Sequence, residues 1–359
     1  MADFTSLPDL AVRNLGGSVI AASDESFAER ENLINPWAAG HQAETFGRKG
    51  QVYDGWETAR RRPSVLGLKV DDRGHDWALV RLGLPGVIRG VVIDTAWFRG
   101  NFPAYASVEA CAAEGHPSAE ELAAREWAEI VPRSPLSGDA RHPFPVQAAR
   151  RFTHVRLNIF PDGGVARLRV HGEVVPDPRL LTGLTVDLAA LENGARVTGC
   201  SNLFYSTPEN ILAPGLPRHQ GEGWETARRR DDGNDWVTVE LAAPGVPRLV
   251  EIDTTHLKFN APGWVALSGR DAQAQEEWVP LLPPTRIQPD GRHRFRLDSA
   301  APPPEVTDVR LDIYPDGGIG RLRVWGELTE DGERTLRDRW DAFVCAVGSG
   351  SGGRVYAAE

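Results

Sequence analysis

Residues 55–62 read GWETARRR, and residues 223–230 read the same eight letters. Each copy sets one carboxylate, Glu57 or Glu225, three positions ahead of a run of guanidinium side chains, Arg60 to Arg62 or Arg228 to Arg230. A carboxyl group carries protons and a guanidinium grips a carboxylate bidentately, so this stretch suits acid–base work on a small anion. The structural alternative is a solvated charge cluster, with Trp56 and Trp224 as packing anchors. Other polar residues recur in register: Asn32/Asn210, Asp76/Asp235, Asp94/Asp253, Asn101/Asn260, His142/His293, Arg156/Arg310, Arg167/Arg321 and Arg169/Arg323. A recurring residue can equally be one the fold needs twice, and Asp162/Asp316 read that way because Asp-Gly is what a tight turn demands.

The copies also differ. His75, His154 and His171 face Asn234, Asp308 and Trp325, and Gly100 faces Phe259. Histidine titrates near neutral pH, so the first copy is the better place for proton transfer. Signatures for a serine nucleophile, a phosphate loop, a dinucleotide fold or a helical zinc site are absent from the sequence. Cys111, Cys200 and Cys345 are odd in number and scattered, which suggests neither a disulfide framework nor a thiolate metal site. His75, Asp76 and Asp94 lack the ligand spacing of a helical metal site, so no metal or cofactor is expected.

The repetition extends far beyond eight residues. HDWALVRLGLPGVIRGVVIDT (75–95) aligns with NDWVTVELAAPGVPRLVEIDT (234–254), and THVRLNIFPDGGVARLRVHGE (153–173) with TDVRLDIYPDGGIGRLRVWGE (307–327). Similarity over this length means two copies of one domain. Boundaries fall at 18–175 and 195–332, with 176–194 as a linker and 333–359 as a C-terminal helix and flexible tail. In the last block Val155, Leu157 and Ile159 alternate with polar residues before PDGG, and Leu168 and Val170 alternate after it. That pattern predicts a β-hairpin with one buried face. Many short strands and Gly-Pro loops predict an all-β chain of two tandem jelly-roll sandwiches with few short helices. PSAEELAAREW (117–127) has a capping-box start at Ser118 and Glu121, and RTLRDRWDAFVCAV (334–347) predicts a terminal helix.

At 359 residues with 41% hydrophobic and 25% charged content, the chain is long enough for two cores. A net charge of −10 argues against nucleic acid as a partner, and no apolar run spans a membrane. With no basic-then-apolar leader in MADFTSLPDLAVRNLGGSVI, a cytoplasmic location is expected.

The tandem GWETARRR, the HDW and IDT blocks, Gly100-Asn101-Phe102-Pro103 and the paired PDGG blocks resemble the allantoicase family from Leu15 to about Glu327. The resemblance implies sandwiches related to galactose-binding-like domains, a homo-oligomer such as a trimer or hexamer, and hydrolysis of allantoate to ureidoglycolate and urea in purine catabolism. The substrate carries a carboxylate and two ureido groups on one carbon. Releasing urea requires a cation for the carboxylate, polar partners for the ureido groups, and groups to move protons. Candidates are Arg60, Arg61 or Arg156 for the carboxylate, Glu57 or Asp94 as acid or base, and His75 or His154 as proton carrier. Asn101 is a candidate ureido ligand and His142 a further substrate-binding candidate. Rival readings are a non-catalytic ligand-binding module and an assembly scaffold.

Overall fold

The computed structural model describes residues 3–61, 74–274, 277–297 and 303–344. Arg62, nearly all of PSVLGLKVDDRG, Cys345 and the GSGSGGRVYAAE tail lie outside the described residues. The chain divides into two compact units, the first ending at Val175 and the second beginning at Pro176.

The first unit contains β1 (Ser18–Ala22), β2 (Phe46–Gly47), β3 (Gly50–Gln51), β4 (Trp56–Glu57), β5 (Asp76–Asp94), β6 (Tyr105–Cys111), β7 (Ala128–Pro135), β8 (Arg141–Pro145), β9 (Arg151–Phe160), β10 (Gly164–Val165) and β11 (Arg167–Val174). The 19-residue β5 is the spine. Its first half lies between β1 and β9, with β6 and β7 beyond, and its second half lies between β8 and β11. All these pairs are antiparallel, and the register shifts between Arg81 and Gly86, where the strand passes from one ladder to the other. Val80, Val155, Leu157, Val91, Ile93, Leu168 and Val170 are all fully buried, so the alternation in the sequence marks the faces that make the core.

The expected hairpin around PDGG is not formed. β9 and β11 do not pair with each other; each pairs with β5, β9 along its first half and β11 along its second. Alternation reports that a strand has a buried face, not which strand lies beside it, and a 19-residue spine has edges for both. The turn therefore carries the chain from one ladder to the other. Gly163 sits there at φ +136°, a conformation open to glycine alone at little cost.

The second unit repeats the plan with β12 (Thr185–Asp187), β13 (Arg196–Cys200), β14 (Trp224–Glu225), β15 (Asp235–Asp253), β16 (Trp264–Arg270), β17 (Val279–Arg286), β18 (Arg292–Arg296), β19 (Val306–Tyr314), β20 (Gly318–Ile319) and β21 (Arg321–Leu328). Here β15 is the spine, flanked by β13 and β19 in its first half and by β18 and β21 in its second. The stretch 176–194 is more than a connector: its β12 pairs with β21, and Asp187 Oδ1 accepts from Val324 N at 2.8 Å. Short polar-looking segments of this kind reveal strand character only when an open sheet edge is available.

Helix is scarce. α1 (Ala119–Ala123) has the expected capping box between Ser118 and Glu121, and its Leu122 packs on Leu79, Cys111 and Ala113. α2 (Glu330–Val344) starts earlier than the expected 334, with Glu330, Asp331 and Glu333 in its first turn, where acidic side chains complement the helix dipole. Among the described residues no helix is long and apolar enough to cross a membrane.

Candidate active site

The repeated octapeptide and the PDGG turn are partners. β4 pairs with β10, placing Glu57 opposite Gly164 and Trp56 opposite Val165. Thr58 N donates to Gly163 O at 3.2 Å, and Gly163 N donates to Thr58 Oγ1 at 3.2 Å. Arg61 N donates to Asp162 Oδ2 at 2.6 Å, and its Nη2 donates to Asp76 Oδ1 at 2.6 Å. The fully buried Trp56 donates from Nε1 to Asp24 O at 2.7 Å. Repeat two copies this lock: Trp224 donates to Asn202 O, Thr226 exchanges bonds with Gly317, and Arg229 donates to Asp316 and Asp235. The Trp, Thr and second Arg of the octapeptide therefore hold a loop in place. Among the described residues, Glu57 and Arg60 are the charged members whose side chains that lock does not use.

They open into a cleft of about 700 Å³ in the first unit, lined by Glu57, Thr58, Arg60, Arg61, Asn101, Gln51 and Tyr53 among others. Glu57 is buried, and its Oε1 accepts from Asn101 Nδ2 at 2.7 Å. Burial raises the Glu57 pKa, while the Asn101 hydrogen bond and then the Arg60 charge oppose the rise by favouring the ionised form. Asn101 is set by its own backbone, whose carbonyl accepts from Gly164 N at 2.7 Å. At Gly163 a Cβ would lie 2.8 Å from Asn101 O, so glycine lets the turn approach both loops. Arg60 is exposed and has no ion-pair partner among the described residues.

Five of the sequence candidates lie outside this lining. Asp94 caps the end of β5, its Oδ1 accepting from Ala96 N at 2.8 Å. His142 staples a turn: Nε2 accepts from Ser137 N at 3.0 Å, which leaves Nδ1 to donate to Ile93 O at 3.0 Å. His293 does the same with Gln288 N and Ile252 O, which explains its recurrence. His154 is buried beside Thr153, and burial, with the Arg81 charge adding to it, lowers its pKa to about 4, leaving it neutral at pH 7. Arg156 donates to Glu109 at 2.8 Å and lies over the Trp127 ring. Strand parity explains the last two, since His154 and Arg156 alternate with the core residues Val155 and Leu157. His75 is half-buried with its ring 4.8 Å from that of Phe160. Among the described residues no group of three or more His, Cys, Asp and Glu side chains is gathered as a metal would need. Gln51 and Tyr53 belong to the lining without having been anticipated; counted back from Gly-Trp-Glu, the second copy has His219 and Gly221 in their places, so repetition carried no signal for them.

Repeat two keeps Glu225 and Asn260, joined at 2.6 Å, but Gln220 Nε2 also donates to Glu225 Oε2 at 2.6 Å. Phe259, almost fully exposed, stands where the first repeat has Gly100. The second unit also has a larger cleft of about 880 Å³, lined by Arg248, Arg292, Arg294, Arg321 and Arg323. Its cations are engaged: Arg292 and Arg294 with Glu251, Arg248 with Glu327, Arg323 with Asp187, and Arg321 with backbone carbonyls. None of the octapeptide residues lines it, so size alone does not recommend it over the smaller cleft.

Comparison with known proteins gives one consistent family. The allantoicase repeat family matches residues 8–175 and 186–329. The chain is 57% identical to a protein named probable allantoicase from Nocardia farcinica, over 90% of this chain and 95% of that one. It is 40% identical to the allantoicase of Dictyostelium discoideum, covering 88% of this chain and 86% of that one. Among solved structures it is similar to the allantoicase of Saccharomyces cerevisiae, with TM-score 0.74, 33% identity, and 89% and 93% of the two chains covered.

Proposed function

This chain belongs to the allantoicase family, and on that premise we propose that the first repeat's cleft, walled by Glu57, Arg60 and Asn101, is its active site. The reaction hydrolyses allantoate to ureidoglycolate and urea. Two nitrogens share the central carbon of the substrate, and one must leave with a proton while the other stays. Glu57 in its ionised form takes the N–H proton of the ureido group that stays; that nitrogen forms a C=N bond and the carbon–nitrogen bond to the other ureido group breaks. The carboxyl returns its proton to the departing nitrogen, releasing urea, and water then adds across C=N, hydroxyl to carbon and hydrogen to nitrogen. One carboxyl thus serves as base and then acid, and a raised pKa suits a group that must hold a proton between the two steps.

Arg60 takes the substrate carboxylate, for which an exposed guanidinium beside the cleft, with no ion-pair partner among the described residues, is the fitting group. Asn101 orients Glu57 and offers its amide to a ureido oxygen or nitrogen. Arg61, tied to Asp76, contributes a fixed positive wall. The observation that carries this reading is the buried Glu57, hydrogen-bonded to the half-buried Asn101, lining the same cleft as Arg60. A Glu57→Gln variant that folds normally and releases urea from allantoate at the wild-type rate would remove the assignment.

Three finer readings belong to the same proposal. The chain assembles as a trimer or hexamer, works in the cytoplasm, and supplies a step of purine catabolism. Exposed Leu203, Phe204, Tyr205 and Phe259 support assembly, being apolar surface of the kind that subunit contacts cover.

A further inference from the structure

The Glu–Asn pair of each repeat is completed differently. In repeat two, Asn260 donates to Glu225 Oε1 and Gln220 donates to Glu225 Oε2, each at 2.6 Å. In repeat one, Asn101 donates to Glu57 Oε1 at 2.7 Å, and no described residue donates to Oε2. A carboxylate only accepts, so the Gln220 amide must present its NH2. A glutamine side chain ends in C(=O)NH2, which is also the end of a ureido group.

We infer that Gln220 occupies in repeat two the place a ureido group of the substrate takes in repeat one, so that the second repeat retains a ureido-binding site filled by its own chain. The plug is braced. Gln220 opens the short turn Gln220–Glu222, and Arg218 holds that turn by donating from its backbone N and its Nε to the Glu222 carboxylate, each at 2.7 Å. A donor built into the chain competes with free ligand at high effective concentration. Repeat one is constructed otherwise at this point. Counting back from the shared Gly-Trp-Glu, the position of Gln220 is taken by Val52, which has no side-chain donor. There β3 pairs with β2 and Tyr53 stacks on Phe98 at 5.0 Å, and no described residue donates to Glu57 Oε2. By this correspondence the terminal NH2 of a ureido group donates to Glu57 Oε2, which sets that group against the carboxylate the proposed chemistry uses.

The inference rests on the reading of the first cleft, and calorimetric titration separates the two. The probe is N-carbamoylglycine, which has one ureido group and a carboxylate but no second ureido group to expel. The wild-type chain should bind one equivalent, lost in Asn101→Ala. Gln220→Ala should bind two, and Gln220→Ala with Asn260→Ala should return to one. Gln220 is exposed on a surface turn, so its truncation leaves the fold intact; the Asn101→Ala, Gln220→Ala double variant, which should bind one equivalent in repeat two, gives an independent count. One equivalent in Gln220→Ala, with the wild-type equivalent still dependent on Asn101, overturns the plugged site and leaves the first cleft standing. Wild-type binding that survives Asn101→Ala overturns the reading of the first cleft itself.

Discussion

The two repeats hold their octapeptides with the same hydrogen bonds and use them differently. In both, the tryptophan is fully buried, the threonine exchanges bonds with the PDGG glycine, and the second arginine joins the turn Asp to the spine Asp. What differs is the environment of the glutamate. Glu57 lines a cleft with one oxygen to which no described residue donates, whereas Glu225 accepts from both Asn260 and Gln220 and the second repeat carries an exposed Phe259 in place of Gly100. Repetition therefore identifies the parts a loop needs to exist, and the divergence around them is what makes the surroundings of the two glutamates different.

The most severe test of that contrast sets Glu57→Gln against Glu225→Gln. Loss of a group that both takes and returns a proton should lower kcat for urea release by about 10²- to 10⁴-fold, while Glu225→Gln leaves it unchanged. A comparable loss in both variants would mean that two cleavage sites work in concert. Next in size is a test of what the repeats share. Asp76 and Asp235 are both buried, with Arg61 and Arg229 on them at 2.6 and 2.9 Å. Asp76→Ala and Asp235→Ala should each destabilise their own unit by about 3 kcal/mol, the lower end for breaking a buried pair because each arginine keeps some solvent contact. Urea unfolding followed by hydrogen exchange in each unit reads the effect, and a marked asymmetry between the two would show that the lock matters in one repeat only.

Smaller again is the effect of the first arginine of each triplet. Arg60→Ala should raise KM for allantoate by about tenfold or more, the worth of a charge-assisted bond to the substrate carboxylate, with kcat little changed. Arg228→Ala should alter neither. Arg60→Lys, which keeps the charge but loses the two-pronged fork, should fall between wild type and Arg60→Ala.

The sequence was readable where periodicity and duplication speak. Period-two runs identified the core faces of β9 and β11, and Ser118 with Glu121 identified the start of α1. Partner choice was not readable: β9 and β11 were expected to pair across PDGG, but both flank one long strand, and nothing local to either encodes that. The same limit applied to the site. Glu57, Arg60, Arg61 and Asn101 gather in one cleft, whereas His142 recurs because a turn needs its two ring nitrogens, a role that spacing cannot distinguish from ligand binding. Gln220 carried no signal at all, because its meaning lies in a carboxylate it meets only through the fold.

The subtlest difference between the repeats is the acid limb of the pH profile, which only Glu57 should set. Proton abstraction needs the ionised carboxylate, so activity falls as pH drops through the Glu57 pKa. Burial raises that pKa, so kcat/KM should begin to fall at a higher pH than it would for an ordinary glutamate. Asn101 opposes burial by donating to the ionised form, so Asn101→Ala removes a lowering influence and should move the limb further up. Arg60→Ala should move it in the same direction by less, since its charge is the weaker of the two opposing influences. Asn260→Ala, which removes the matching bond on Glu225, should leave the limb where it is. If Asn101→Ala instead moved the limb down, Glu57 would be acting through some group other than its own carboxylate. If Asn260→Ala moved it as well, the second repeat would have to be counted as part of the chemistry.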